Sequence, residues 1–196
     1  MAPDDRRTRR VVGIAGSLRS GSWNRRLLEA ARELAPDGLR IEPFDIRGIP
    51  LYDADLDTDQ RRPDAVRRLK SAIADADGVL IASPEYNHTV PGVMQNIIDW
   101  SSRPGMRSPW AGTPVGIMGA ANGLVGTARM QQVLKLTLLS TLARVMPHPG
   151  VVVGRAPDKF DADGHLADPA TRDFLAAYLR QFTDWIDTVG VPPAQS

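Results

Sequence analysis

Short apolar runs alternate with longer amphipathic segments along the whole chain. The apolar runs have the length of strands buried on both faces, and they lie at residues 11–15, 40–44, 78–82, 114–118 and 151–153. The segments with apolar residues at helical spacing predict helices, which are expected at residues 23–35, 64–76, 91–100, 128 to about 144, and 168–189. Pro43 within the second run favours an edge strand.

This alternation of strands and helices predicts an open parallel sheet with helices on both of its faces. Five strands fit the flavodoxin-like order better than the six-stranded dinucleotide-binding arrangement. The expected fold is therefore α/β, a flavodoxin-like three-layer sandwich around a five-stranded parallel sheet of order 2-1-3-4-5. We expect residues 1–10 to form a flexible N-terminal leader without the apolar stretch of a secretory signal. Residues 11–190 are then a single domain, and 191–196 a C-terminal tail.

Composition removes several kinds of chemistry. The 196 residues include no cysteine, which excludes disulfides, thiolate zinc sites, iron–sulfur clusters and a thiol nucleophile. The three histidines, His88, His148 and His165, are too widely spaced for a paired metal site. We predict neither a metal nor a catalytic side chain, so the reactive group is expected to come from a bound molecule. A net charge of +1 argues against a nucleic-acid partner, no apolar run is long enough for a membrane helix, and a cytoplasmic location is expected.

The loop after the first strand favours an anion. Residues 16–24 (GSLRSGSWN) leave a buried strand and begin a helix, where backbone N–H groups and the helix dipole favour phosphate. Arg19 adds a planar cation. The loop lacks the glycine spacing of a dinucleotide site and the lysine of an ATP site, so a lone monophosphate fits better. The simpler alternative is an ordinary Ser/Gly loop with a solvated arginine.

Two further loops lie at the same edge of the expected sheet. Residues 83–92 (SPEYNHTVPG) combine two prolines with an aromatic ring and polar groups, which suits a flat heterocycle. A structural turn with a half-exposed tyrosine explains them as well. Residues 119–126 (GAANGLVG) are small enough for close approach to a ligand or to the next helix. The three loops together indicate a slot for a planar ring with a monophosphate tail.

Four spaced motifs resemble the NADPH-dependent FMN reductase family, the flavodoxin-like group that includes quinone, chromate and azo reductases. They are Gly-Ser-Leu-Arg-x-x-Ser-x-Asn at 16–24, Pro-Leu-Tyr-Asp at 50–53, Pro-Glu-Tyr-Asn-His-Thr-x-Pro-Gly at 84–92 and Asn-x-x-Asp-Trp at 96–100. The similarity runs from about Val11 to Val152. It implies non-covalently bound FMN, NADPH or NADH as electron donor, and a homodimer or homotetramer.

The resemblance also implies a set of cofactor-binding residues. Those expected around the FMN phosphate are Ser17, Arg19, Ser22, Trp23 and Asn24. Those expected to border the flavin ring, largely through backbone, are Pro84, Glu85, Tyr86 and Asn87, and backbone contacts are also expected from Ala121 and Gly123. The third loop departs from the family pattern Ala-Ser-Pro-Gly-Gly-x-Gly-Gly-x-Arg. Ala121 and Asn122 replace its Ser and Pro, Leu124 and Thr127 replace two glycines, and Arg129 matches.

The implied activity is hydride transfer from NAD(P)H to FMN, followed by reduction of quinones or other small acceptors in a ping-pong sequence. It needs no side-chain acid or base. One alternative is a flavodoxin-like electron carrier served by a protein partner, although such carriers are usually strongly acidic. Another is a sensor or scaffold with a decayed flavin site.

Three features stay open at this stage. The helix at 128–144 is apolar on both sides, because Leu136 and Leu139 lie opposite its core positions. A contact between subunits explains this, as does cover by the loop at 101–112. Trp110 in that loop fits either the site or the interface. His88 could donate to substrate, but an exposed loop histidine is the simpler interpretation.

Overall fold

The computed structural model describes residues 7–190, which form six strands and five helices. The strands are β1 (Arg9–Ala15), β2 (Leu39–Phe44), β3 (Gly78–Ala82), β4 (Pro114–Ala120), β5 (Arg144–Val145) and β6 (Val151–Val153). The helices are α1 (Trp23–Glu33), α2 (Asp64–Ala74), α3 (Gly92–Ser101), α4 (Ala128–Ser140) and α5 (Pro169–Val189). No helix within residues 7–190 is long and apolar enough to cross a membrane.

All strand pairs in the sheet are parallel, and β2, β1, β3 and β4 lie side by side in that order. The predicted order 2-1-3-4-5 is thereby confirmed, with β2 and its Pro43 at one edge. β1 begins at Arg9, so the last two residues of the predicted leader pair with β2. Residues 1–6 of that leader and the predicted tail at 191–196 lie outside the described residues.

The fifth position of the sheet differs from the prediction, because two short strands occupy it. β5 pairs with the start of β4 and β6 with its end. The predicted helix at 128–144 is therefore too long, and α4 ends at Ser140. Leu142 takes a left-handed conformation (φ 66°), and the Arg144 N–H donates to the Thr113 carbonyl at 2.8 Å. Pairing with β4 thus outweighs the helical pattern of these residues.

A side chain from another helix closes the gap between β5 and β6. Pro147 and Pro149 lie in the gap and have no N–H to donate. The hydroxyl of Tyr178 in α5 accepts from the Ile117 N–H at 2.7 Å and donates to the Ile117 carbonyl at 3.0 Å. Burial raises the pKa of Tyr178, so the hydroxyl keeps its proton. Both backbone polar groups of the buried residue Ile117 are therefore satisfied.

The core consists of two apolar layers, one on each face of the sheet. α1 and α5 pack on one face, as Leu27 and Phe182 illustrate, and α2, α3 and α4 pack on the other. Trp110 is fully buried in the second layer, and its indole N–H donates to Ser101 Oγ at 2.7 Å. It therefore belongs to the core rather than to a surface that faces a ligand, and a position near a subunit interface stays a prediction.

Candidate cofactor-binding site

The loops after β1, β3 and β4 meet at one end of the sheet, as the strand order requires. Between them lies a cleft of about 270 Å³. Its walls contain ten of the eleven predicted cofactor-binding residues, namely Ser17, Arg19, Ser22, Trp23, Asn24, Pro84, Glu85, Tyr86, Ala121 and Gly123. Asn87 is the one outside the lining, while Ala120 and Asn122 line the cleft without having been predicted.

One wall of the cleft is the N-terminus of α1. The first turn of this helix contains no acidic side chain, and Ser22 at its N-cap makes no side-chain capping bond within the described residues. The first N–H groups of any α-helix lack intrahelical acceptors. Arg19 lies beside them, with one guanidinium nitrogen donating to the Gly21 carbonyl at 3.2 Å. N–H groups, hydroxyls and a cation without a competing acid form a donor set that fits a phosphate.

Asn24 lies in the cleft wall, but its side chain is already engaged. Its Nδ2 donates to the Ala120 carbonyl and its Oδ1 accepts from the Ala120 N–H, both at 2.9 Å. The side chain is buried, and its two polar ends join α1 to the end of β4. The side-chain oxygen and one Nδ2 N–H of Asn24 are therefore committed to Ala120 rather than to an anion.

The second wall contains a tight turn that presents Tyr86. The Tyr86 N–H donates to the Thr89 carbonyl at 3.2 Å, and the Thr89 N–H donates back at 3.0 Å. Between them Asn87 (φ 51°) and His88 (φ 63°) are both left-handed, the signature of a type I′ turn. Asparagine tolerates this conformation well. The turn leaves the Tyr86 ring half-exposed beside the cleft.

Glu85 fastens this turn to α4. Its Oε2 accepts from the Met130 N–H at 2.9 Å in the first turn of α4, and Arg129 lies 3.8 Å from Oε1. Desolvation raises the pKa of Glu85, but hydrogen bonds from Met130, His88 and Arg129 outweigh it and leave the pKa below its ordinary value. The carboxylate is thus an ionised, acceptor-only group that positions the loop.

His88 is an exposed loop residue beside this carboxylate. Its Nδ1 lies 3.3 Å from Glu85 Oε1 and 3.0 Å from an Arg129 guanidinium nitrogen. His88 is therefore found as an exposed loop histidine, and its contact with substrate stays a prediction.

The third loop is held by backbone hydrogen bonds to the last residue of β6 and to the segment after it. The Ala121 N–H donates to the Val153 carbonyl, and the Ala121 carbonyl accepts from the Ala156 N–H, both at 3.0 Å. The Ala121 N–H is therefore committed to the protein itself rather than to a ligand. The next residue, Asn122, extends its side chain across the cleft, where Oδ1 accepts from the Trp23 indole at 2.7 Å. The prediction missed this contact, although the replacement of the family's proline marked the position.

The two remaining sequence motifs contact each other outside the cleft lining. Asn96 donates to the Pro50 carbonyl and accepts from the Tyr52 N–H, each at 2.8 Å. The Trp100 indole also donates to the Pro50 carbonyl at 2.8 Å. Pro-Leu-Tyr-Asp and Asn-x-x-Asp-Trp thus anchor the segment after β2 on α3.

The fold and the strand-end cleft together define a flavodoxin-like protein with a site for a phosphorylated ligand. The chain belongs to the NADPH-dependent FMN reductase family, whose model matches residues 9–158. It is 42% identical over 177 residues to an NAD(P)H-dependent FMN reductase of Pseudomonas aeruginosa, covering 90% of this chain and 95% of that one. It is 37% identical over 177 residues to a 2-hydroxy-1,4-benzoquinone reductase of a Burkholderia species, covering 90% and 96%.

Among solved structures, the flavoenzyme NAD(P)H:(acceptor) oxidoreductase FerB of Paracoccus denitrificans superposes with a TM-score of 0.85 at 35% identity. The match covers 93% of this chain and 99% of that one. The similarity therefore includes the elements that surround the cleft.

The carboxylate of Glu85 yields a testable pH dependence. We expect Glu85→Gln to lower the free energy of unfolding at pH 7 by about 1 kcal/mol, because a neutral amide oxygen accepts the Met130 N–H less strongly. The folded-state pKa lies below the reference value of 4.5. The stabilisation by the charge is therefore complete well above pH 4.5 and is lost as the pH falls through the folded-state pKa.

Urea denaturation of both proteins at pH 7 and at about pH 3.5 measures this difference. Glu33→Gln, at an exposed position of α1, is the matched control and should change stability little at either pH. A difference between Glu85→Gln and wild type that stays constant with pH would contradict the assignment.

Proposed function

We propose that the protein is an NAD(P)H-dependent flavin enzyme that reduces its bound FMN and then passes the electrons to a quinone or another small acceptor. The observation that carries this proposal is the cleft itself. One wall is the α1 N-terminus with Arg19 and two serines, and the facing wall is the Pro84–Tyr86 segment. A phosphate and a flat ring are the parts of FMN that these walls suit.

In this proposal Ser17, Arg19, Ser22 and the first N–H groups of α1 bind the phosphate. Pro84, Glu85, Tyr86 and Asn87 border the flavin ring, largely through backbone. In this proposal binding is non-covalent, and the absence of cysteine excludes a cysteinyl thioether link.

FMN held by these residues would supply hydride transfer between NADPH or NADH and the acceptor, which is chemistry that the chain itself lacks. Three titratable side chains line the cleft, namely Arg19, Glu85 and Tyr86. Arg19 is a permanent cation, and Glu85 is held ionised against α4. The protein's contribution is then positioning rather than acid–base catalysis. The Tyr86 turn and the third loop hold the ring, and donor and acceptor occupy the open side of the cleft in turn, which gives ping-pong kinetics.

A quinone is the favoured acceptor. The Burkholderia relative is named for a benzoquinone, and a flat acceptor suits an open cleft beside a half-exposed aromatic ring. We also propose a cytoplasmic location, since NAD(P)H is a metabolite of that compartment.

We further propose that the chain forms a homodimer or homotetramer through α4. Met130, Leu134 and Leu138 face the sheet and are fully buried. On the opposite side Val133, Leu136 and Leu139 are exposed, Leu136 by 70%. The loop at 101–112 does not cover this apolar side of α4, because Val133, Leu136 and Leu139 remain exposed within the described chain. A second copy brings the same apolar face and can meet it about a two-fold axis.

The first prediction concerns FMN. We expect the purified protein to bind FMN at one per chain, and Arg19→Ala to weaken binding about tenfold or more, because one charge-assisted contact to phosphate is lost. Titration followed by flavin fluorescence measures the dissociation constant. Arg68→Ala removes an equal charge from an exposed position of α2 outside the cleft and should have little effect. A wild-type protein that takes up no FMN would refute the proposal.

The second prediction separates an enzyme from an electron carrier. The FMN-loaded protein should oxidise NADPH or NADH with a benzoquinone and no protein partner present, giving parallel lines in double-reciprocal plots at several quinone concentrations. Absorbance at 340 nm measures the rate. A protein that holds FMN but turns over only with an added partner protein would favour the carrier.

The third prediction concerns assembly. Leu136→Glu should shift the protein towards the monomer, since two copies would bury opposed like charges in an apolar contact. Light scattering after size exclusion measures the mass. Phe174→Glu, a comparable change at an exposed apolar position of α5, should leave the mass unchanged. A wild-type protein of monomeric mass would rule out the α4 contact.

A further inference from the structure

The third loop places an amide side chain in the wall of the cofactor cleft. Asn122 lines the cleft together with Gly123, and its Oδ1 accepts from the Trp23 indole at 2.7 Å. The two residues are 99 positions apart in sequence, so this hydrogen bond joins the first loop to the third.

Trp23 is held firmly enough to orient its partner. Its ring packs against Phe160 with centroids 5.3 Å apart, and the Arg26 guanidinium lies 4.7 Å from the ring centroid. An indole N–H can only donate, so the atom of Asn122 that faces Trp23 must be the oxygen. The amide orientation is thereby determined, and Nδ2 with its two N–H groups is the other end of the side chain.

This Nδ2 has no hydrogen-bond acceptor among residues 7–190. The backbone of the preceding residue, Ala121, is already bonded to Val153 and Ala156. The Asn122 amide is therefore the side-chain donor that this loop adds to the cleft lining, beside the backbone N–H groups of Asn122 and Gly123. FMN carries acceptor oxygens on its phosphate, its ribityl chain and its ring.

We propose that Asn122 binds FMN by donating from Nδ2 to an acceptor oxygen of the cofactor, with Trp23 as the positioning residue that orients the amide. The inference rests on the proposed function. It also accounts for the departure of the third loop from the family pattern. Ala121 removes a hydroxyl from the loop, and Asn122 adds a donor at the next position, where the family has a proline without one.

The experiment compares three variants as apo-protein, with the FMN dissociation constant measured by fluorescence titration. Asn122→Asp keeps an oxygen for the indole but replaces the donor with a charge. Asn122→Ala removes both groups, and Trp23→Phe keeps an aromatic ring but removes the indole N–H. We expect FMN binding to weaken by more than about tenfold, by about tenfold and by about threefold, respectively.

The order of these effects distinguishes binding from a structural link between the loops. If Asn122 served only to join the loops, Asn122→Ala and Trp23→Phe would weaken FMN binding by the same factor, because either substitution removes the one hydrogen bond between the two side chains. That result overturns the proposal, as does an Asn122→Ala constant within about twofold of wild type. Leu124→Ala, in the same loop but outside the cleft lining, is the matched control and should leave the constant unchanged. Unchanged melting temperatures of the apo-variants show that folding is not the cause.

Riboflavin titrations locate the acceptor oxygen. If Asn122→Ala weakens riboflavin and FMN binding by the same factor, the oxygen lies on the ribityl chain or ring, and if riboflavin binding is unaffected, it lies on the phosphate. Either result supports the contact. A wild-type protein that binds neither flavin refutes the proposed function itself, whereas wild-type binding with an unaffected Asn122→Ala refutes only this inference.

Discussion

The buried side chain of Asn24 is the link on which the geometry of the cleft depends. By bonding both the N–H and the carbonyl of Ala120 at 2.9 Å, it joins the start of α1 to the end of β4. These are not neighbouring strand-end loops in the chain, and only the strand order brings them together. Because both polar ends of the amide are satisfied within the protein, the loops keep their spacing without help from a ligand. The donors of the α1 N-terminus and of the third loop therefore face the same space before any cofactor binds.

The broken edge of the sheet supports this arrangement from behind. Tyr178 satisfies the Ile117 peptide where neither β5 nor β6 reaches it, and Gln131 of α4 donates to the Val151 carbonyl at 2.9 Å. These bonds hold β6 in register with the end of β4. Val153, the last residue of β6, then accepts a hydrogen bond from the Ala121 N–H. Tyr178 and Gln131, which lie outside the cleft lining, thus help to determine which backbone groups of the third loop remain available to a ligand.

Much of this could be predicted from sequence, because apolar runs and helical spacing are local signals. The edge position of β2 followed from Pro43 alone, and the three loops of the cleft followed from the strand order. The division of the last strand could not be predicted, since the hydroxyl that satisfies the backbone of Ile117 comes from Tyr178, which is 61 residues further along the chain. The engagement of Asn24 and the burial of Trp110 were missed for the same reason. Each depends on a partner that only the folded chain brings near.

The third loop can differ from the family pattern in its side chains without disturbing the fold, because the bonds that hold it involve its backbone. The side chain of Asn24 bonds the backbone of Ala120. The backbone of Ala121 is bonded by Val153 at the end of β6 and by Ala156 after it. Side chains at 121, 122 and 124 take no part in those bonds, apart from the Asn122 contact with Trp23. Substitution at 121 or 122 alters what the loop offers to a bound molecule, while the backbone bonds that hold the loop do not depend on these side chains. Selection on the cofactor or acceptor can therefore act on this loop independently of selection on stability.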